Sequence, residues 1–361
     1  MTNKKQILLE KYRQELLQRN LPEKHRLESI RQLAAKFRCS PGTAAAVMQD
    51  LVAEGLVYPV PGKGYFFHKK SLPRKKIGYL GQAPAPFIDT TVNEALIALM
   101  DHLESSKDVD IIHIQYRALQ NIESGKKLLH NLDGLLLHAS FLDNKSLLIL
   151  RTFNKPIVVF GAFFHENRLI CNQVMADFST ALKEFCQCCD LNKYSRIVLM
   201  QTQTRNSAAT AQQLIDYFNM IGVTSRVIIQ ETRALTGYGN VIFGHTLASS
   251  FTEDDIKNSL FILLSDHISC GVYSYIEENG LSPEMLPDIL SVDNYEGHDP
   301  ELQRNAFFTT IDRSIKECYI HAADLLFSEL KTPSNRRVIL QIPTKLIIRK
   351  SIRNINKGNY S

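Results

Sequence analysis

The sequence has no apolar run approaching the ~20 residues that span a bilayer, and its first twenty residues, MTNKKQILLEKYRQELLQRN, are charged throughout. Neither a membrane anchor nor a signal peptide is expected. No disulfide framework is evident. The seven cysteines (Cys39, Cys171, Cys186, Cys188, Cys189, Cys270 and Cys318) are odd in number and scattered, which fits a reduced, cytoplasmic protein. Phosphate-binding glycine motifs are missing as well. The first body strand runs into Gly78-Tyr79-Leu80-Gly81-Gln82-Ala83-Pro84 without G-x-G-x-x-G, there is no P-loop, and Gly237-Tyr238-Gly239 does not follow a clear strand into a helix. Cys186, Cys188 and Cys189 fall in the helical stretch EFCQCCDL. There i and i+2 point apart, so they read as structural thiols rather than a metal clip. Asp266-His267 and His245 belong to no catalytic or metal constellation. The expectation is no enzyme activity, no metal and no cofactor.

What is present is an uneven charge. The net charge is +5 over 361 residues, but residues 1–76 hold 16 Lys and Arg against 6 Asp and Glu, a net of +10, whereas the remainder holds 26 against 31, a net of −5. A basic head on a mildly acidic body points to a polyanionic partner for the head. Double-stranded DNA suits it better than a membrane surface, because the basic residues are spread over several short elements.

In the head, Ile7, Leu8, Leu9, Tyr12, Leu16 and Leu17 give a first helix over 5–19, closed by Pro22. Leu27, Ile30, Leu33, Ala34 and Phe37 give a second from about Ser29. Ser40 as N-cap, Pro41 at the first helical position and Gly55 as stop give a third, with Val47, Leu51 and Leu56 as core. VYPVPGKGYFFHKK then reads as two short strands around Pro61-Gly62-Lys63-Gly64. This order is a winged helix-turn-helix. The third helix would meet the major groove through Ser40, Gly42, Thr43 and Ala44. Arg31 and Lys63 are the best phosphate partners, supported by Arg26, Lys36 and Arg38.

These residues, RLESIRQLA, then SPGT, then LVAEGL, then GKGYFF, resemble the DNA-binding domain of GntR-family bacterial transcription regulators over about residues 5–68. Two positions depart from that pattern. Glu28 stands where the family has proline, and the third helix carries Pro41-Gly42 and Ala44-Ala45-Ala46 where many members place arginines. Phosphate contacts, the wing and DNA shape would then carry more of the specificity.

Residues 69–76 read as a linker. Beyond them, apolar strands alternate with helical patterns. Strands are predicted at Ile77–Leu80, Asp110–Ile114, Gly134–His138, Ile157–Phe160, Ile197–Met200, Arg226–Ile229, Leu260–Leu264 and Ile289–Val292. Helices are predicted at 91–105, 122–130, 144–152, 178–189, 208–220 and 268–279, with further helix and strand at 314–330, 338–342 and 346–349. Unbroken apolar strands with helical crossovers indicate parallel sheets covered on both faces, and the length calls for two α/β lobes.

The body, residues 77–352, is similar to the effector domain of LacI/GalR regulators, which has the type I periplasmic-binding-protein fold. The resemblance rests on Phe87, Val174 and Asp177, Ser265-Asp266, Gly271, Val292-Asp293-Asn294, Thr309-Thr310 and the tail Pro343…Leu346-Ile347-Ile348-Arg349-Lys350-Ser351, in that order. It implies a ligand-responsive homodimer on a pseudo-palindromic operator, more often a repressor, with a sugar or sugar derivative in the cleft. The combined architecture resembles arabinose-responsive repressors. Asp266 and Asp293 are the carboxylate candidates and Phe87 the stacking platform, with His138, Phe163, Gln203 and Arg205 as further cleft candidates. Gln213 stands where the family has a ligand-gripping arginine, which removes the usual sugar clamp. A cleft controlled by a partner protein is an alternative, as is an α/β enzyme with an accessory head. Residues 353–361 read as a polar tail.

Overall fold

The computed structural model describes all residues except 1–3, 20, 69–73, 86–89, 107, 162–168, 203–204, 224–226, 233–236, 335, 354 and 356–361. Two units separate, residues 1–74 and 75–361.

The first unit holds helices α1 (Lys4–Gln18), α2 (Ile30–Lys36) and α3 (Pro41–Ala53), then an antiparallel ribbon of β1 (Val57–Val60) and β2 (Gly64–Phe67). Local chemistry fixes each boundary. Ser29 and Gln32 form a reciprocal capping box at α2, and Ser40 caps α3 with Pro41 behind it. Gly55, Gly62 and Gly64 take the positive φ that the helix stop and the ribbon turn require. Tyr12, Leu16, Leu33, Val47, Met48, Leu51 and Phe67 form the core. Of the six apolar positions expected to face inward on α1, Ile7 (55% exposed) and Leu17 (42% exposed) do not. The apolar stripe is narrower than the sequence suggests because Arg13 and Lys5 flank it, paired with Glu54 and Asp50.

The second unit contains two six-stranded sheets. The first lobe runs β3 (Lys75–Leu80), α4 (Thr90–Ser105), β4 (Val109–His113), α5 (Ile122–His130), β5 (Gly134–His138), α6 (Asn144–Leu150), β6 (Ile157–Phe160) and β7 (Asn172–Asp177). The second runs α7 (Ser179–Cys188), β8 (Arg196–Thr202), α8 (Arg205–Met220), β9 (Val227–Thr232), α9 (Gly237–Ser249), α10 (Glu253–Asn258), β10 (Ser259–Leu263), α11 (Asp266–Glu278), β11 (Asp288–Val292), α12 (Tyr295–His298) and β12 (Thr309–Asp312). The chain returns through α13 (Ile315–Lys331) and β13 (Ile339–Pro343) to the first lobe, then closes with β14 (Lys345–Ile347) on the second. Strand order is β13-β7-β6-β5-β3-β4, all parallel, and β14-β12-β11-β10-β8-β9, parallel except β14. Each sheet has core on both faces. In β5, Leu135 and Leu137 join one cluster and Leu136 the other, which is why the run is unbroken.

The lobes are joined at three places: after Asp177, at Arg313-Ser314 and at Thr344. They are stitched together. The Thr344 amide and hydroxyl both donate to the Asp177 carbonyl at 3.0 Å, and the Ser314 hydroxyl donates to the Pro343 carbonyl at 3.2 Å.

Several sequence expectations shift. Lys75 and Lys76, read as linker, open β3 and pair with β4. Arg353, read as tail, donates its amide and Nε to the buried Asp288 carboxylate. β7 and β12 were seen only as motif fragments. Gly237 opens α9 behind β9, so this glycine pair does follow a strand into a helix. The strand read at Arg226–Ile229 continues to Thr232, and α9 was missed because four of its first six residues are glycine or β-branched. Arg226 lies outside the described residues. The close approach of α9 and α11 explains two glycines. A Cβ on Gly271 would stand 1.9 Å from the Val241 carbonyl oxygen, and one on Gly244 would stand 2.0 Å from that of Ile268. Cys188 and Cys189 are buried, and the half-buried Cys186 packs against the core that holds Cys189. No helix among the described residues is long and apolar enough to cross a membrane.

Candidate functional site

On the first unit, Arg26, Arg31, Arg38 and Lys63 are exposed, and among the described residues none of their side chains forms an ion pair. Lys63 sits at the tip of the ribbon between Gly62 and Gly64. Arg26 forms a β-bridge with Phe66 beside it. Arg38 adopts φ +49° in the turn between α2 and α3. Gly42 is exposed on the first turn of α3. Ser40 and Thr43 share a hydroxyl hydrogen bond of 2.9 Å, and Ser40 also accepts from the Thr43 amide at 3.1 Å.

Two sequence expectations fail here. Lys36 is not a free phosphate partner, since its ammonium pairs with Glu15 and with Glu28 (3.1 Å) and lies over the Tyr12 and Phe37 rings. Ala44 is fully buried and faces the core rather than a groove. Glu28 is the centre of this arrangement. Burial raises its pKa, but hydrogen bonds from Tyr12, Lys36 and Arg19 outweigh that and hold it down at about 2.

In the second unit a cavity of about 300 Å³ opens at the carboxyl ends of the first-lobe strands, beside the Arg313 crossover. That is where open parallel α/β sheets hold ligands. Gln82 follows β3, His138 ends β5, Ser140 and Phe141 follow it, and Arg313 and Tyr319 enter from the crossover and α13. His138 is edge-on to Phe141, Phe160 and Tyr319. Gly161, at φ +92°, gives it room: a Cβ there would lie 2.4 Å from His138 Nε2. Burial, reinforced by the Arg313 charge, lowers the His138 pKa to about 4, so the ring is neutral at pH 7.

Asp293 directly follows β11, and its carboxylate pairs with the Arg313 guanidinium. Asp293 and Asn294 take φ of +114° and +58°, two consecutive left-handed residues at the mouth of the cleft. Backbone strain of this kind concentrates at ligand sites. Asn294 is held by Arg349 at 2.6 Å and donates to Asp312 at 3.0 Å.

Asp266 does not face the cavity. It is 2% exposed and accepts from the Ser291 hydroxyl, the Tyr295 amide and the Thr310 hydroxyl. Burial and the neighbouring Asp293 charge raise its pKa to about 8. It ties α11 to β11 and β12. Gln213 donates to the Ala176 carbonyl at 3.2 Å and accepts from the Phe178 amide at 3.3 Å, so it braces the first crossover. Phe87, Phe163 and Gln203 lie outside the described residues, as does the Arg205 side chain. The sequence reading missed Arg313, Tyr319, Phe141, Ser140 and Gln82. Arg313 follows β12, three residues after the Thr309-Thr310 motif, and Gln82 sits in the first strand's exit, so position alone could have marked both.

No family model matches the chain. A curated relative, the HTH-type transcriptional repressor PurR of Histophilus somni, is 22% identical over 306 residues, covering 78% of this chain and 88% of that protein. An uncharacterized HTH-type transcriptional regulator, YcxD of Bacillus subtilis, is 39% identical over 69 residues, 18% of this chain and 16% of that one. Among solved structures, a LacI-family transcriptional regulator from Enterococcus faecium with bound ribose superposes with a TM-score of 0.55 at 19% identity, covering 78% of this chain and all of that one. The body has the two-lobed fold of LacI-family regulators. The cavity beside Arg313 lies next to one of the three crossovers that join the lobes.

Proposed function

We propose that this chain is a cytoplasmic DNA-binding transcriptional repressor, not an enzyme, whose operator affinity is set by a small molecule in the cleft of its LacI-like body. The head is a GntR-type winged helix-turn-helix. Two copies read the half-sites of a pseudo-palindromic operator. Arg26, Arg31, Arg38 and Lys63 contact phosphate, and Gly42 with Thr43 approaches the bases. The ligand is a sugar or sugar derivative, taken up between Asp293 and the cavity at His138.

One observation carries this reading: a cavity at the strand ends touches the crossover whose arginine, Arg313, pairs with Asp293 of the opposite lobe. A ligand there exchanges contacts with both lobes and so favours one lobe angle, which is the requirement for coupling to DNA. The ribose-bound relative supports the ligand class.

The test is thermal shift of the full chain against pentoses, hexoses, sugar acids and phosphorylated sugars. Ligand at about 100 times its Kd adds about 2.7 kcal/mol. The same ligand should change operator binding in a gel shift, and Asp293→Ala should abolish both effects. A flat panel from folded protein overturns the sugar reading. Failure to bind DNA at low salt overturns the repressor.

A further inference from the structure

A second, larger cavity of about 510 Å³ lies in the second lobe, away from the cleft. It is lined by residues just before β11 and β12 and just after β14. β11 and β12 are parallel, and their far ends carry Asp293 and Asp312 at the cleft. The five residues of β11, about 16 Å of extended chain, therefore separate this cavity from the Asp293 end of the strand.

Its walls combine rings and cations. Tyr273 and Phe307 are half-buried with ring centroids 5.4 Å apart. Arg304, Lys350 and Arg353 are the cationic lining residues, and Glu284 and Asp288 the acidic ones. These charges are not equivalent. Asp288 is buried and answered by Lys193 at 3.1 Å and Arg353 at 2.7 Å, so that group is internally neutralised. Arg304 and Lys350 are exposed, and among the described residues their side chains make no hydrogen bond or ion pair. They outnumber the single exposed carboxylate, Glu284.

The floor is rigid. The Phe307 carbonyl accepts both the Lys350 and Ser351 amides at 3.0 and 3.1 Å, and the Phe307 amide donates to Glu296. The Ser351 hydroxyl donates to the Ile289 carbonyl at 2.6 Å and accepts from the Thr309 amide at 2.8 Å. The cations and rings are therefore mounted on a fixed backbone, which lowers the ordering cost of binding.

We propose that this cavity is a binding site for a small anion carrying a ring: the acid group between Arg304 and Lys350, the ring against Tyr273 and Phe307. Phosphate monoesters and carboxylates share this chemistry, and charge-assisted hydrogen bonds hold either.

The test is calorimetric titration of the full chain with phenyl phosphate, benzoate and inorganic phosphate. Phenyl phosphate or benzoate should saturate one site per chain, and inorganic phosphate should bind about tenfold more weakly because it lacks the ring. Binding of phenyl phosphate alone assigns the site to phosphoryl esters, and of benzoate alone to carboxylates. Arg304→Glu and Lys350→Glu should each weaken binding about tenfold or more. Lys350→Gln, which removes charge without adding a carboxylate, should give a smaller loss in the same direction. Asp293→Ala, at the opposite end of β11, should leave binding intact. Three results overturn the proposal: no saturable binding of either aryl anion, binding that survives the Arg304→Glu, Lys350→Glu double variant, or binding lost in Asp293→Ala.

Discussion

The Tyr12 hydroxyl donates to the Glu28 carboxylate at 2.6 Å, fastening α1 to the segment that leads into α2. Arg19 and Lys36 complete the cluster at 3.1 Å each. Glu28 is the residue that departs from the proline of the GntR pattern, and here it is the polar anchor of the head.

Replacing Glu28 by Gln should therefore destabilise the head by about 1–2 kcal/mol, less than a buried charge would give because the cluster is partly exposed. The pH dependence follows from the folded-state pKa of about 2. That value lies below the ordinary glutamate value, so the stabilisation is complete above about pH 4.5 and is lost as pH falls towards 2. Chemical denaturation between pH 2 and 6 should show this slope in the native chain and a shallower one in Glu28→Gln.

Arg31 and Lys36, five residues apart on α2, should behave differently. Arg31→Ala and Lys63→Ala should each weaken operator binding and reduce the slope of log K against log salt by about 1. Lys36→Ala should lower the melting temperature of the head and leave the salt slope nearly unchanged, because its charge is already answered by Glu15 and Glu28. Gel shifts at several salt concentrations separate the two.

Gly271→Ala should cost about 3 kcal/mol. The obstacle is the Val241 carbonyl oxygen at 1.9 Å, a backbone atom that cannot rotate away. The variant should lower the unfolding midpoint of the body, and alanine at the exposed Gly42 should not.

The body should show two opposed pH dependences. Asp266, with a pKa of about 8, holds its proton in the folded state, so the native chain loses stability as pH rises from about 4 through 8. Asp266→Asn should abolish that loss and be relatively more stable at pH 9. His138 titrates low, near 4, so folding excludes a proton the unfolded ring takes up below about 6.5, and stability falls as pH drops from 6.5 to 4. His138→Gln should flatten that limb. Melting temperatures across pH 4–9 for both variants measure each contribution.

The strands legible in the sequence are those with continuous apolar runs, such as Gly134–His138, whereas the buried β7 and β12 are interrupted by Asn172-Gln173 and Thr309-Thr310 and were not. α9 was not predicted, because a helix pressed against its neighbour at glycine carries a weak helical signal, whereas the edge strand β9 was read from Arg226–Ile229 although it extends to Thr232. Within the cavity, only His138 was read from sequence and is seen in place. Asp266 looked like a ligand carboxylate because a strand-end aspartate before a helix has the same appearance whether it faces outward or inward. Only the hydroxyls of Ser291 and Thr310, 25 and 44 residues away, reveal that it faces inward. Lys36 misled for the same reason: its partners, Glu15 and Glu28, lie on other elements.

The hydrogen bonds among Asp177, Ser314, Pro343 and Thr344 have a mechanical consequence. Three independent straps would let the lobes twist, shear and open separately. Tied together, they move less independently than three separate straps would. Under the proposed ligand-driven mechanism, a substitution such as Thr344→Val, which removes one of these hydrogen bonds, acts as a change of torsional stiffness: it should alter how steeply the lobe angle answers an occupied cleft without touching the cavity lining.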